Sequence, residues 1–260
     1  MARSTTRGFD AVLPPVLTLL AVGVAWELAV RLSAVPAFLV PRPTAVLVAG
    51  WNERVLLAGA LLTTAEGALA GYMLSLIFGT VAGLFLSLSR VLERALYPYA
   101  LFLQTVPIVA VAPLLVLWFG PGLRAVSVSA FIVSVFPIIA NTLAGLRGVD
   151  ARLTDLFRLY DASTADSLIK LGLPSAVPSM ATGWRVASGL AVIGALVGEF
   201  VAGFSEGSAG LGITVLAAYR QLRTDLLFAT VILASLLGLS LFAVVSLFSN
   251  RLLRRLRARI

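Results

Sequence analysis

Six long apolar runs constrain this chain more than any other feature. They cover about residues 11–30, 61–88, 95–119, 126–146, 175–201 and 226–248. A helix needs about 20 consecutive apolar residues to cross the hydrocarbon core of a bilayer. In lipid, a spanning backbone must satisfy its own hydrogen bonds, which a helix does. Only 12% of the residues are charged, against about 25% in soluble domains. The sequence therefore predicts an all-α membrane protein with about six transmembrane helices, organised as one transmembrane domain over residues 1–260.

The connections carry their own signals. Arg3 and Arg7 precede the first run, as in a secretory signal. The run is longer than a signal core of about 7–15 residues, however, and no small-x-small cleavage site follows. It is expected to be a retained helix with Pro14 and Pro15 in its first turn. Pro36, Pro41 and Pro43 exclude a regular helix over 35–44, and Thr44 is placed as the N-cap of a short helix over 45–57. Pro107, Pro113 and Pro137 are expected to kink the third and fourth spans. Gly67, Gly71, Gly79 and Gly83, and later Gly189, Gly194 and Gly198, have the spacing that lets helices approach closely. A Gly-rich loop over 202–212 leads into a short amphipathic stretch ending at Arg223, expected at the outer surface.

Composition removes whole classes of chemistry. The chain has no Cys and no His, so it offers no thiolate, imidazole base, or Cys- or His-ligated metal. Its one Lys, Lys170, follows Ile169, so a phosphate-binding Gly-Lys-Ser/Thr loop is excluded. If ATP drives this protein, another chain binds the ATP and its Mg. The net charge of +8 fits arginines flanking spans better than a nucleic-acid surface. Six spans put both termini on one side. Taken as cytoplasmic, that side holds 13 Lys and Arg, the other holds 6, and Arg185 lies within the fifth span. This is the asymmetry of the positive-inside rule.

One polar segment, 147–173, is too patterned to be a slack linker. Leu153, Leu156, Phe157 and Tyr160 recur at helical spacing and form one apolar face. The helix is expected to break at Asp161-Ala162. Ser163-Thr164-Ala165-Asp166 then reads as a capping-box start, and a second short helix runs to Leu171. Gly172 is expected to terminate it and Pro174 to prevent its continuation. By pattern alone, the hairpin is either a surface connector or a docking element.

The stretch from Leu159-Tyr160-Asp161-Ala162-Ser163 to Leu173-Pro174-Ser175-Ala176-Val177-Pro178 resembles the EAA motif of ABC importer permeases. Aligned on Leu173-Pro174, Asp155 falls at the motif's Glu, and Leu156 and Phe157 fall at its two Ala positions. Asp161 falls at its Gly, a departure that the turn tolerates because Asp enters the left-handed region more readily than most residues. Gln104-Thr105-Val106-Pro107, Gly183-Trp184-Arg185, Gly198-Glu199-Phe200 and Gly210-Leu211-Gly212 resemble the nitrate/sulfonate/taurine-type branch of these permeases. The run 190–200 is similar to members handling pyrimidine precursors of thiamine, or riboflavin.

The resemblance implies a type I importer permease in the bacterial inner membrane, with both termini cytoplasmic. It implies a homodimer seated on two ATP-binding subunits and served by an extracytoplasmic solute-binding protein. Asp155, Tyr160, Asp161, Ala162, Ser163, Thr164, Asp166 and Ser167 would then contact or shape the coupling site, and the chain itself would be no enzyme. Polar groups within spans are costly and serve as functional candidates. Gln104, Asn141, Glu66 and Glu199 are the candidates for the substrate pathway. Few cations lie in the apolar runs, which favours a neutral or aromatic organic solute over an inorganic anion. A transporter driven by an ion gradient is the alternative, with Glu66 and Glu199 its only carboxylate candidates.

Overall fold

The computed structural model describes residues 6–33, 35–202 and 209–257. The described residues form helices and their connections. In chain order these are α1 (Thr6–Leu32), α2 (Pro43–Asn52), α3 (Arg54–Ser87), α4 (Arg90–Thr105), α5 (Ile108–Phe119) and α6 (Leu123–Arg147). They are followed by α7 (Ala151–Leu159), the single turn α8 (Thr164–Asp166), a π-helical segment (Ser167–Gly172), α9 (Leu173–Ala202), α10 (Leu211–Arg220) and α11 (Thr224–Arg257). By contact density the chain divides into two compact units. One comprises residues 1–57 with 214–232, and the other 58–213 with 233–260.

In the smaller unit, the Glu27 carboxylate accepts from the Arg31 guanidinium at 2.8 Å and from the Thr44 backbone N–H at 3.2 Å. Thr44 is therefore not the N-cap of α2. Arg42 holds that position, because Pro43 takes the first helical turn, where its missing N–H costs nothing. Pro14 and Pro15 also lie deeper in α1 than the first turn, since the helix already begins at Thr6. Such prolines are tolerated in spanning helices; separately, the Thr18 hydroxyl donates to the Pro14 carbonyl at 2.9 Å. The Arg223 guanidinium pairs with Glu53 at 2.9 Å, and Trp26 lies against Phe228.

The larger unit is built on close contacts of α6 with α3 and with α9. The Cβ position of Gly67 lies 2.6 Å from Val126 Cγ1, that of Gly79 2.9 Å from Ile138 Cβ, and that of Gly83 2.6 Å from Thr142 Cβ. Gly71 faces Ala130 in the same way. Residue numbers rise together along this seam, so α3 and α6 run parallel. Along α9 they fall as those of α6 rise. Gly198 meets Val126 and Ser129, Gly194 meets Ala130, and Gly183 meets Pro137 and Asn141. Gly145 of α6 meets Ala176. Gly189 does not join this seam, since its Cβ position has open space. Between α3 and α6, the Ser75 and Ser134 hydroxyls meet at 2.7 Å, and Ser134 also bonds the Ala130 carbonyl.

The third apolar run is not one kinked helix. α4 and α5 meet at 97° across Val106-Pro107. Pro107 caps α5 and lacks the N–H that would continue α4, whereas Pro113 and Pro137 are absorbed within α5 and α6. At 1.5 Å per residue, α5 is about 18 Å long, too short to cross a core of about 30 Å alone. The parallel course of α3 and α6 decides what the bent pair does. Two parallel spans require the chain to return between them, so α4 and α5 together make one broken crossing. With α1, α3, α6, α9 and α11, the candidate spans among the described residues number six.

Candidate functional site

α7 and α8 form the hairpin between α6 and α9. Asp150 caps α7, its carboxylate accepting from the Arg152 N–H at 2.8 Å. α7 ends in a Schellman motif. The Ala162 N–H donates to the Phe157 carbonyl at 3.0 Å, the Asp161 N–H donates to the Arg158 carbonyl at 3.0 Å, and Asp161 has φ 51°. This left-handed residue is usually Gly, which accounts physically for the motif's preference at this position. The Ser163 hydroxyl accepts from the Asp166 N–H at 3.0 Å and donates to the Asp166 carboxylate at 2.7 Å. Asp166 in turn pairs with Lys170. The predicted cap is present, but the acid binds the capping hydroxyl and the following ammonium instead of the Ser163 backbone.

The expected stop at Gly172 and Pro174 does not occur. The helix continues from Thr164 through the π-helical segment into α9. A π turn shifts the hydrogen bonds from i−4 to i−5, which makes room for the ring of Pro174 where an α turn would meet the Lys170 carbonyl. The second arm of the hairpin is consequently a continuous extension of α9. Its apex presents Leu159 at 82% and Tyr160 at 80% exposure, with Ile169 also exposed. Asp155 is exposed and pairs with Arg158 at 3.6 Å, Thr164 is exposed, and Ala162 and Ser167 are half-buried.

The four pathway candidates do not come together. Glu66 and Gln104 are exposed on this chain, with Gln104 in the last turn of α4 beside the 97° break. Asn141 is half-buried on α6, and its side-chain amide donates to the Pro137 carbonyl at 2.8 Å. Glu199 is buried, 2% exposed, and is held in a clamp. One carboxylate oxygen accepts from the Thr64 hydroxyl at 2.8 Å and the other from the Gly212 N–H at 2.7 Å. Thr64 in turn accepts from the Leu211 N–H at 2.8 Å. The carboxylate therefore sits at the N-terminus of α10, where backbone N–H groups and the helix dipole favour an anion. Gly210 and Gly212 pack against it, and any Cβ there would collide with the Glu199 side chain. Glu199 fixes α10 to α3 and α9. Thr64 gave no sequence signal, because Thr within an apolar run is ordinary and nothing local separates it from its neighbour Thr63.

The residues 75–258 match the family described as "Binding-protein-dependent transport system inner membrane component". The chain belongs to this family. Among its relatives, the riboflavin transport system permease protein RibX of Chloroflexus aurantiacus is 39% identical, covering 92% of this chain and 88% of that one. The formylaminopyrimidine transport permease protein ThiX of Halalkalibacterium halodurans is 33% identical over 95% of this chain and 97% of its own. An inward-facing structure of the MetNI methionine ABC transporter superposes with a TM-score of 0.64 at 17% identity, over 79% of this chain and 98% of that one, which establishes the shared fold. This permease is thus a multi-pass membrane subunit of an ABC importer, with the all-helical type I fold. A permease subunit of this kind is not by itself an enzyme.

Proposed function

We propose that this permease imports a small heteroaromatic organic solute, and that the α7–α8 hairpin transmits ATP hydrolysis on a separate subunit to the spans. The hairpin carries the coupling half of this reading. Its apex exposes Leu159 and Tyr160 beside a turn fixed by two backbone hydrogen bonds, and it continues without a break into α9. A push on α8 would therefore move α9 as a body. Asp155, Tyr160, Ala162, Thr164 and Ser167 are the proposed contacts, with Asp161, Ser163 and Asp166 holding the turn. The occupant is an ATP-binding subunit, one for each copy of a permease homodimer, and it carries the ATP and Mg. The hairpin face and both termini are cytoplasmic, in keeping with the arginine asymmetry of the sequence. A solute-binding protein docks on the opposite face.

Gln104 at the broken crossing, Asn141 beside the Pro137 carbonyl and Glu66 on α3 are the proposed pathway groups. Glu199 is assigned instead to positioning α10, since both of its carboxylate oxygens are engaged by neighbours in the clamp. Support for a heteroaromatic solute comes from relatives that move riboflavin and formylaminopyrimidine and from the scarcity of cations within the spans. The test is co-expression with an ATP-binding subunit and purification through a tag on this chain. After reconstitution in lipid, the binding protein is added loaded with riboflavin, a formylaminopyrimidine, an alkyl sulfonate or nitrate. Stimulation of ATP hydrolysis by a heteroaromatic-loaded form is expected. Stimulation only by sulfonate or nitrate would refute the substrate class. Undiminished co-purification of the ATP-binding subunit with Ala162→Arg would refute the coupling assignment.

A further inference from the structure

An apolar groove of about 500 Å³ lies where α3, α9 and α11 meet, lined by Tyr72, Met73, Leu76, Trp184, Val245 and Phe248. Cations gather at one end of it. Arg185 follows Trp184 in sequence, and its guanidinium donates to Ser249 Oγ at 2.9 Å and Asn250 Oδ1 at 2.8 Å. Ser249 stands one helical turn beyond Val245 on the same face of α11. Arg254 is one turn beyond Asn250, and Arg251 lies within a turn of both Arg254 and Arg255. Arg251, Arg254 and Arg255 are all exposed. Among the described residues, no carboxylate pairs with any of the four.

Depth places the α11 end of this cluster at a headgroup layer, with Arg185 reaching towards it from within the fifth span through its bond to Asn250. α11 has 34 residues, about 51 Å at 1.5 Å per residue, which exceeds a hydrocarbon core of about 30 Å. Its apolar run ends at Phe248, so Arg251 and Arg254 emerge where lipid phosphates lie. We propose that this junction is a binding site for one anionic phospholipid, with the phosphate against Arg185, Arg251 and Arg254 and an acyl chain in the groove. A soluble anion would leave the apolar groove unfilled. A neutral apolar solute would leave the arginines without a counter-charge. An amphiphile with a negative head satisfies both parts. The bound lipid would tie α11 to α9 at Arg185, about 18 Å along α9 from its start at Leu173. The site does not depend on which solute the permease carries.

The full chain, with Trp26→Phe, Trp51→Phe and Trp118→Phe, leaves Trp184 as its only tryptophan and as a reporter in the groove wall. It would be reconstituted in nanodiscs containing brominated phosphatidylglycerol or brominated phosphatidylcholine. Half-maximal quenching of Trp184 is expected at a mole fraction of phosphatidylglycerol at least about fivefold below that of phosphatidylcholine, the discrimination one arginine supplies near a membrane surface. Arg251→Gln with Arg254→Gln removes exposed groups without disturbing a packed contact. It should move the phosphatidylglycerol curve towards that of phosphatidylcholine and leave the latter unchanged. Arg185→Gln should do the same. Coincident curves for the two lipids in the parent chain, or an unchanged preference in the double arginine variant, would overturn the proposal. Relief of quenching by inorganic phosphate, but not by chloride at matched ionic strength, would overturn it in favour of a soluble anion.

Discussion

Gly71→Ala tests the parallel seam between α3 and α6. An added Cβ would lie 2.5 Å from the Ser127 carbonyl oxygen and 2.9 Å from the Phe131 backbone nitrogen. Ordinary contact begins near 3.4 Å, so the first approach is short by about 0.9 Å. Both neighbours are backbone atoms of α6, and no rotamer change can relieve them; the helices must separate. Overpacking of this kind costs about 1–3 kcal/mol, and a backbone collision belongs at the upper end. Replacing a helical Gly by Ala also contributes up to about 1 kcal/mol of favourable propensity. Gly59→Ala, on the same helix, gains the same propensity and meets nothing within 4 Å. The difference between the two variants cancels the propensity gain and isolates the collision, at about 3 kcal/mol, or more than a hundredfold in the folding equilibrium. Equilibrium unfolding in mixed micelles, followed by helical circular dichroism, measures it. A difference below about 0.5 kcal/mol would refute the close parallel approach, and with it the reasoning that makes α4 and α5 a crossing.

Glu199→Ala removes the acceptor shared by Thr64 and the Gly212 N–H, and should destabilise by about 3 kcal/mol, given about 1.5–3 for each hydrogen bond to a charged group. A double-mutant cycle with Thr64→Val in the same unfolding assay should show coupling of about 1 kcal/mol or more; strict additivity would contradict the clamp. Asp161→Gly relieves a left-handed Asp and should stabilise the hairpin by roughly 1 kcal/mol without loss of the ATP-binding subunit on purification, whereas Asp161→Val should weaken both. Glu93→Gln breaks the pair with Arg147, in which each side chain is about one-third exposed. It should change stability by less than about 1 kcal/mol, and a larger loss by the same unfolding measurement would show the pair to be more than a surface contact.

Much of the architecture was legible in the sequence because hydrophobic run length is a local quantity. Spans α1, α3, α6, α9 and α11 follow from it, and so does the hairpin, whose apolar face, break at Asp161 and Ser163 cap are all encoded within a few residues. The resemblance of its flanking motifs to importer permeases then pointed to the family. Local signals failed where a residue's fate depends on a distant neighbour or on an unusual turn. Thr44 resembles a cap in isolation, but Pro43 and the Glu27 carboxylate redirect it. Gly172 and Pro174 resemble a stop, but the π-helical segment carries the helix past them.

The sequence by itself determined that the chain lives in a membrane, that it binds no nucleotide through a P-loop, and where its one patterned polar segment lies. Those conclusions rest on composition and on spacing within a single helix. Tertiary structure alone decided that Pro107 breaks a span where Pro113 and Pro137 do not, since both kinds of proline look alike along the chain. It also showed Glu199 held in a clamp, which no local reading could supply because its partners Thr64 and Gly212 lie 135 and 13 residues away. The pairing of the four α3 glycines with α6 likewise exists only once two helices separated by a broken crossing are laid side by side. Long-range geometry sets these outcomes, and no window along the sequence contains both partners.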